Sequence, residues 1–156
     1  MDEALFFWHS ENELKGAIAG HVDDFFWSGN NDMKLSVIDP VTAAFQISSE
    51  SCDNFNFLGL DVNKNGGVIE VDQSVYIESI PYVTCSDMKD KFRFLTEDEK
   101  ISLRSAIGQL SWLANQTRPD ISYEVCQLSV RYKHAQVLDI LNANKPLKKL
   151  RITNYV

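Results

Sequence analysis

Two adjacent carboxylates, Asp23 and Asp24, are the first candidates in this sequence for a metal-binding or catalytic site. They stand within residues 17–27, between apolar and aromatic runs whose alternation predicts β-strands. Burying an unpaired carboxylate costs roughly several kcal/mol unless a cation or hydrogen-bond donors compensate for it. The pair therefore needs an exposed turn, a basic partner or a divalent cation.

These three solutions predict different sites. A simple hairpin turn favours Asn-Gly or Asp-Gly at its tip, and the sequence has neither at this point. Magnesium takes hard oxygen ligands, often one or two carboxylates together with substrate phosphates, as in two-metal phosphoryl transfer. Considered on their own, Asp23 and Asp24 leave all three solutions open.

The elements that must position the pair are strands. Residues 3–8 form a short aromatic run that predicts one strand, and residues 15–22 predict a second after a polar turn at 10–13. The aromatic residues 25–27 then predict a returning strand. The carboxylates are therefore expected where antiparallel strands join.

Beyond these strands the pattern becomes mixed. Apolar spacing over residues 32–44 predicts a helix, which Pro40 would kink or end. Residues 55–62 and 68–71 flank an Asn-Gly-Gly signal and predict a β-hairpin. A short helix is predicted over residues 73–80, before Pro81.

The last third of the chain is predicted to be helical. Thr96 and Glu99 match a capping box, and an apolar face recurs through residues 98–115. A second helix is predicted from Thr117 and a third over residues 135–143. Residues 82–95 show no sustained hydrophobic period and predict a linker. Because strands are predicted before this linker and helices after it, the predicted fold class is α+β.

Three motifs, in this order, resemble the reverse transcriptase domain of copia-type retrotransposon Pol polyproteins. His21-Val22-Asp23-Asp24 resembles the aromatic-x-Asp-Asp hairpin of that family. The string FLG at 57–59, followed by GVIEVDQSVYI at 67–77, resembles the segment with the primer-contacting hairpin. The string IGQLSWLANQTRPDIS at 107–122 resembles the helical signature on the thumb side. Together the motifs span most of the chain.

The resemblance implies a fold and an activity. It implies a partial polymerase palm at residues 1–81, a linker at 82–95 and a helical thumb-like segment at 96–156. The implied activity is that of an RNA-directed DNA polymerase, a nucleotidyltransferase in which Asp23 and Asp24 are catalytic and hold Mg²⁺ or Mn²⁺. The implied partners are an RNA or DNA template-primer and a dNTP.

The sequence also departs from the family pattern. The family's third catalytic Asp belongs to an earlier palm strand, and residues 1–20 contain no match to that motif. The fingers and the downstream RNase H segment are likewise not matched, and His21 stands where many relatives have Tyr or Phe. We therefore expect a fragment that is inactive alone. The alternative is a non-catalytic remnant of a transposable element that binds nucleic acid or protein.

Charge divides the chain and suggests further contacts with nucleic acid. Residues 1–90 carry 16 acidic and 4 basic side chains, whereas residues 91–156 carry 6 acidic and 11 basic ones. A solvated face and a phosphate-binding face both fit this division. The residues predicted to contact nucleic acid are Phe57, Leu58 and Gly59, from the resemblance, and the basic residues Lys145, Lys148, Lys149 and Arg151.

Composition sets the remaining limits. The three cysteines, Cys52, Cys85 and Cys126, have no metal-ligand spacing and do not suggest a disulfide framework. The N-terminus lacks a basic leader, and no apolar run approaches the length needed to span a membrane. We expect a soluble intracellular protein, cytoplasmic or nuclear, with no membrane partner.

Overall fold

The computed structural model describes residues 4–47 and 49–153 and is a mixed α+β fold with two small antiparallel sheets. The chain divides into two units, Met1–Leu58 and Gly59–Val156. This division falls within the predicted palm segment 1–81. The boundaries at 81 and 95 stay predictions.

The first unit contains the three strands predicted around the carboxylates, and this prediction is confirmed. They are β1 (Leu5–Ser10), β2 (Glu13–His21) and β3 (Asp24–Gly29), in the antiparallel order β1-β2-β3. Glu11 and Asn12 join β1 to β2, and both have positive φ, at 52° and 65°. Positive φ at both central residues is the signature of a type I′ turn, whose twist suits a hairpin.

One face of this sheet, the inner face, packs on the helical segment that follows. Its buried core consists of Ile18, Met33 and Ile38. Gly16 and Gly29 lie opposite each other in the sheet, and a Cβ on either would collide with the Met33 sulfur. The two glycines therefore form the notch that seats Met33.

The helix predicted over residues 32–44 is confirmed, with an irregular centre. It runs through α1 (Asn31–Met33), a π-helical turn (Lys34–Ile38) and α2 (Asp39–Phe45). Asn30 caps its start by accepting a hydrogen bond from the Met33 backbone N–H at 3.0 Å. Pro40 lies in the first turn of α2, where a missing N–H costs little. The proline therefore coincides with a change of helical geometry and does not end the helix.

The strand predicted over residues 55–62 is interrupted. It becomes β4 (Asn54–Phe57) and β5 (Leu60–Asn65), because Leu58 and Gly59 both adopt positive φ, at 53° and 77°. β5 pairs with β6 (Val68–Asp72) in antiparallel register. Gly66 and Gly67 make the turn, so the predicted hairpin is confirmed.

The second unit is built mainly on helices. α3 (Ser74–Ser79) ends before Pro81, as predicted. α4 (Glu97–Gln116) begins at the predicted capping box of Thr96 and Glu99. A 3₁₀ turn (Pro119–Ile121) leads into α5 (Ser122–Arg131), and α6 (Val137–Ile152) follows.

The third helix is longer than predicted. The expectation of a helix over residues 135–143 is wrong in length, because α6 continues through Pro146 to Ile152. Proline removes one backbone donor from a helix interior. Pro146, Leu147 and Leu150 are nevertheless buried, and their burial offsets the lost hydrogen bond.

Residues 82–95 contain no helix or strand among the described positions, apart from a bridge between Phe94 and Gln136. The segment is held in place at several points. The Val83 N–H donates to Asn144 Oδ1 at 2.9 Å, and the Leu95 N–H donates to the Ala135 carbonyl at 3.0 Å. Val83 and Leu95 are also buried. This irregular segment is therefore part of the helical packing.

Candidate functional site

The two carboxylates lie at the tip of the β2–β3 hairpin. His21 and Asp24 form the last cross-strand pair, so Val22 and Asp23 are the two residues of the turn. Val22 has φ of 53°, whereas Asp23 is not among the described residues with positive φ. Positive φ at the first central residue alone is typical of a type II′ turn, in which glycine is usual.

Valine is an unusual residue for that backbone position. A β-branched side chain at positive φ is a true outlier, and such residues cost about 1–3 kcal/mol each. The Val22 side chain recovers nothing by burial, since the residue is 88% exposed. Strain of this kind clusters at functional sites, so the tip is the strongest local anomaly near the carboxylates.

Both carboxylates are exposed, and they belong to consecutive residues at the hairpin tip. Asp24 opposes His21 across the hairpin, so these two side chains share one face of the sheet, while Asp23 belongs to the turn. Among the described residues, neither aspartate forms an ion pair. The sequence left three ways to accommodate the two carboxylates: an exposed turn, a basic partner or a divalent cation. The structure places them at an exposed hairpin tip, with no basic partner among the described residues.

The donor set fits part of a magnesium site. Two neighbouring carboxylates supply the hard oxygen ligands that Mg²⁺ and Mn²⁺ prefer. Within residues 4–47 and 49–153, no group of three or more His, Cys, Asp or Glu side chains suits a metal ion. Asp23 and Asp24 would therefore hold a cation together with ligands from outside this group. His21 is exposed beside Asp24, and an imidazole nitrogen is a poor magnesium ligand.

The predicted primer-contacting residues form a turn. Phe57 is half-buried at the end of β4, with its ring centroid 5.3 Å from that of Phe26. Leu58 and Gly59 follow in the left-handed region. A Cβ on Gly59 would meet nothing within 4 Å, so backbone conformation is the visible reason for glycine there. A contact with a primer strand stays a prediction.

The predicted basic residues lie together on α6, and some already have partners. The Lys145 ammonium donates to Asn142 Oδ1 at 2.9 Å, and the Lys149 ammonium lies 3.0 Å from an oxygen of Asp120. Lys148 is exposed. Lys145 and Lys148 are therefore the residues of this set whose charges are best available to a phosphate.

Arg151 has an internal role. Its Nη2 donates to the backbone carbonyls of Ile80 at 2.6 Å and of Glu78 at 3.2 Å, at the end of α3. Its guanidinium also lies 4.7 Å from the centroid of the Tyr82 ring, which is a cation–π distance. Binding of a phosphate by Arg151 stays a prediction, and it would compete with these contacts.

The structure contains an ion pair with a buried arginine that the sequence did not predict. Arg118 is buried, and its Nε and Nη2 donate to the two oxygens of Asp120 at 2.9 and 3.1 Å. It also donates to the Thr153 carbonyl at 3.1 Å. The hydrogen bonds from Arg118 lower the pKa of Asp120 from 3.8 to about 2; burial opposes this shift and Lys149 adds to it. The available signal was Arg118 and Asp120 flanking a helix-starting proline.

A second charged cluster supports the irregular segment. The Arg93 guanidinium donates to both oxygens of Glu99, at 2.9 and 3.0 Å, and the Thr96 and Ser86 backbone N–H groups also donate to this carboxylate. The Arg93 hydrogen bond, followed by that of Thr96, lowers the pKa of Glu99 from 4.5 to about 2. The cluster is structural, since donors from the chain itself surround the carboxylate.

The described part of the chain has no candidate membrane-spanning helix and no disulfide. None of its helices combines the length and the apolar character that crossing a membrane requires. Its cysteines, Cys52, Cys85 and Cys126, are all free thiols.

The chain was compared with protein-family models, with curated proteins and with solved structures. None of the three comparisons finds a match.

Proposed function

We propose that this chain is the C-terminal palm and thumb-side part of a copia-type RNA-directed DNA polymerase, inactive on its own. The observation that carries the proposal is the tip of the β2–β3 hairpin. There, adjacent Asp23 and Asp24 follow a valine held at φ of 53°. A turn that needed only to reverse the chain would have glycine or asparagine at that position.

In this proposal the tip of the hairpin binds the cation, and the packing at its base holds the tip in place. Asp23 lies in the two-residue turn and Asp24 is the first residue of β3, so both carboxylates are at the hairpin tip, where they would hold one cation or a pair of cations. The inner face, with Met33 seated between Gly16 and Gly29, fixes the base of the hairpin. When bound, a divalent cation neutralises phosphate charge and activates the attacking hydroxyl. The missing carboxylate would come from the upstream palm strand that the family resemblance implies.

A complementation assay tests the proposal. The full chain is mixed with a polypeptide that supplies the upstream palm strands and fingers, and primer extension is followed on a primed RNA template with Mg²⁺. We expect extension that Asp23→Asn reduces by about a hundredfold or more, as for loss of a group that stabilises transition-state charge. Asp32→Asn, an exposed aspartate of the same unit, is the matched control and should extend normally. An active complex in which Asp23→Asn extends as fast as the wild type would show that the assignment is wrong.

A direct measurement on the chain alone complements this assay. Mn²⁺ is titrated while the ring protons of His21 are observed by NMR, because a paramagnetic ion near Asp24 broadens them. We expect broadening that Asp23→Asn and Asp24→Asn weaken and that Asp32→Asn leaves unchanged. Broadening of equal strength in all variants would mean that the cation binds elsewhere.

A second candidate function is a non-catalytic remnant that binds another macromolecule. The observation in its favour is the number of large apolar side chains left exposed on the first unit, including Phe6, Phe7 and Phe45. Exposed apolar surface of this kind marks interaction sites. Assays of binding and of primer extension separate the two candidates, since a remnant binds its partner whether or not Asp23 is present.

A further inference from the structure

The sheet of the first unit has a second face, the outer face, on which the helical segment of residues 31–45 does not pack. The register puts Leu5, Ala19 and Phe26 on this face, together with Phe7 opposite Ala17. Leu14 joins them opposite His9, because the register shifts between Trp8 and His9. The large side chains of the outer face are substantially exposed: Leu5 37%, Phe7 50%, Leu14 57% and Phe26 38%.

One corner of the outer face is already occupied. The ring of Phe26 contacts those of Phe55 and Phe57, with centroids 5.8 and 5.3 Å apart. Leu5, Phe7 and Leu14 remain open to solvent. Because a sheet normally buries its apolar face against another layer, this part of the face is a site for a further element.

Carboxylates stand at both ends of the outer face. Glu11 lies in the β1–β2 turn at one end, and Asp23 and Asp24 lie at the β2–β3 tip at the other. Among the described residues, none of these three has a basic partner. Both ends of the face are therefore negative, while its middle is apolar.

The net charge of the first unit indicates which kind of molecule can bind the outer face. Residues 4–58 carry eight carboxylates and two lysines, and both lysines are already paired, Lys15 with Glu13 and Lys34 with Asp39 and Glu50. A second copy of the first unit would bring the same negative excess, and a polynucleotide would bring phosphates. A cationic polypeptide is attracted where both of these are repelled.

We propose that the outer face binds an amphipathic helix of another polypeptide, with apolar residues along its middle and basic residues at both ends. The length follows from β2, which has nine residues and spans about 30 Å at about 3.3 Å per residue. A helix of about 20 residues covers that distance at 1.5 Å per residue. This proposal does not depend on the polymerase proposal, since it uses the exposed face and its charges alone.

Labelled peptides test the proposal on the full chain by fluorescence anisotropy. One 20-residue amphipathic helix has an apolar stripe and two lysines at each end. A second has the same composition with its lysines in the middle, and a third has glutamates at the ends. We expect the peptide with lysine ends to bind at least about fivefold more tightly than either of the others, since each exposed ion pair contributes about 0.2–1 kcal/mol. Its affinity should fall with added salt.

Protein variants locate the binding surface. Phe7→Ser removes an apolar contact from the middle of the face and should weaken binding about tenfold. Leu35→Ser is the matched control, because Leu35 is 68% exposed and lies in the helical segment that packs on the inner face. Glu11→Lys changes an exposed turn without touching the core. It should make a peptide with one glutamate end and one lysine end bind more tightly than the peptide with two lysine ends.

Several outcomes would overturn the proposal. Equal binding of the three peptides would show unspecific apolar adhesion. If a folded Phe7→Ser variant binds the peptide as tightly as the wild type does, the peptide contacts another surface. If Phe7→Ser does not fold, Glu11→Lys decides: an unchanged preference among the peptides would again mean that the peptide binds elsewhere. Tighter binding of a single-stranded oligonucleotide than of the peptide, or self-association that Phe7→Ser abolishes, would identify a different occupant.

Discussion

The two units of this chain bury apolar surface to very different extents. Among the described residues, the first unit has a core of three buried residues, Ile18, Met33 and Ile38, and leaves Phe6, Phe7 and Phe45 half or more exposed. In the described part of the second unit there are two clusters of nine buried residues each, drawn from α3 to α6 and the irregular segment between α3 and α4. Because burial of apolar area is the main stabilising term, the helical unit is expected to be the more stable.

The comparison also separates the kinds of residue on which each unit depends. The sheet depends on backbone geometry at a few points: the glycine notch for Met33, the I′ turn at Glu11 and Asn12, and the strained Val22. The helical unit depends on side-chain packing and on ion pairs with one buried partner, Glu99 or Arg118. Unfolding by urea should therefore show the sheet melting before the helices.

The largest expected effect is a cavity in the helical core. Leu113 is fully buried in the cluster shared by α3, α4 and α6. Leu113→Ala should lower the free energy of unfolding of the helical unit by about 2–5 kcal/mol, measured by urea titration with circular dichroism at 222 nm. Ile101→Ala, at an exposed position of the same helix, should change it by under about 0.5 kcal/mol. A similarly small loss for both variants would mean that burial of the Leu113 side chain does not stabilise the helical unit.

The next effect should be confined to the sheet. Gly16→Ala puts a methyl group against the Met33 sulfur, 2.6 Å from the Ser28 carbonyl oxygen and 2.8 Å from the Gly29 Cα. Two of these neighbours are backbone atoms, so overpacking should cost about 1–3 kcal/mol. The fluorescence of Trp8 and Trp27, both in this sheet and read in a variant with Trp112 replaced by Phe, would follow the loss.

A matched glycine in the same strand controls for the change of residue. A Cβ on Gly20 would lie 3.4 Å from the Phe25 ring, an ordinary contact with a flexible side chain. Gly20→Ala should therefore leave the sheet intact. If Gly16→Ala instead weakens the helical transition, the two units do not unfold separately.

Acid should weaken the helical unit through Glu99. Arg93 and the Thr96 N–H hold the pKa of Glu99 near 2, below its ordinary 4.5. A carboxyl with a lowered folded-state pKa stabilises the fold fully above its unfolded pKa. That stabilisation is lost as the pH falls from about 4.5 to about 2. Urea midpoints at pH 5.5 and pH 2.5 measure the loss.

Glu99→Gln tests the source of this pH dependence. The amide leaves the Arg93 guanidinium without its charged partner, so the variant should be less stable by about 1–3 kcal/mol at pH 5.5. Its midpoint should then fall less than that of the wild type on going to pH 2.5. An equal fall in both proteins would assign the acid sensitivity to Asp120, whose pKa Arg118 also lowers to about 2.

Local signals in the sequence predicted most of the elements. The capping box at Thr96 and Glu99, the glycine turn at Gly66 and Gly67, and the aromatic alternation around Asp23 each act within a few residues. The structure departs from prediction where tertiary burial outweighs local preference. Pro146 lies inside α6 because its neighbours are buried.

Other features depend on contacts distant in sequence. At the break between β4 and β5, Gly59 gives a local signal, but leucine at positive φ, as in Leu58, contradicts propensity. The partners of Arg151 lie more than seventy residues away, so its capping of α3 could not be inferred from a basic tail. The sequence predicts that Asp23 and Asp24 lie where two strands join, whereas the positive φ of Val22 is visible only in the structure.

The smallest expected effect is a gain. Gly108 lies in the interior of α4, and a Cβ there would meet nothing within 4 Å. Gly108→Ala should therefore stabilise the helical unit by about 0.5–1 kcal/mol, because alanine restricts the unfolded chain and favours the helix. Gly66→Ala is the contrasting variant, since φ of 55° at Gly66 penalises alanine although the space is open. Because the gain at Gly108 acts only on the helices, it should widen the gap between the two urea transitions; an upward shift of the sheet transition as well would show that the helical unit supports the sheet.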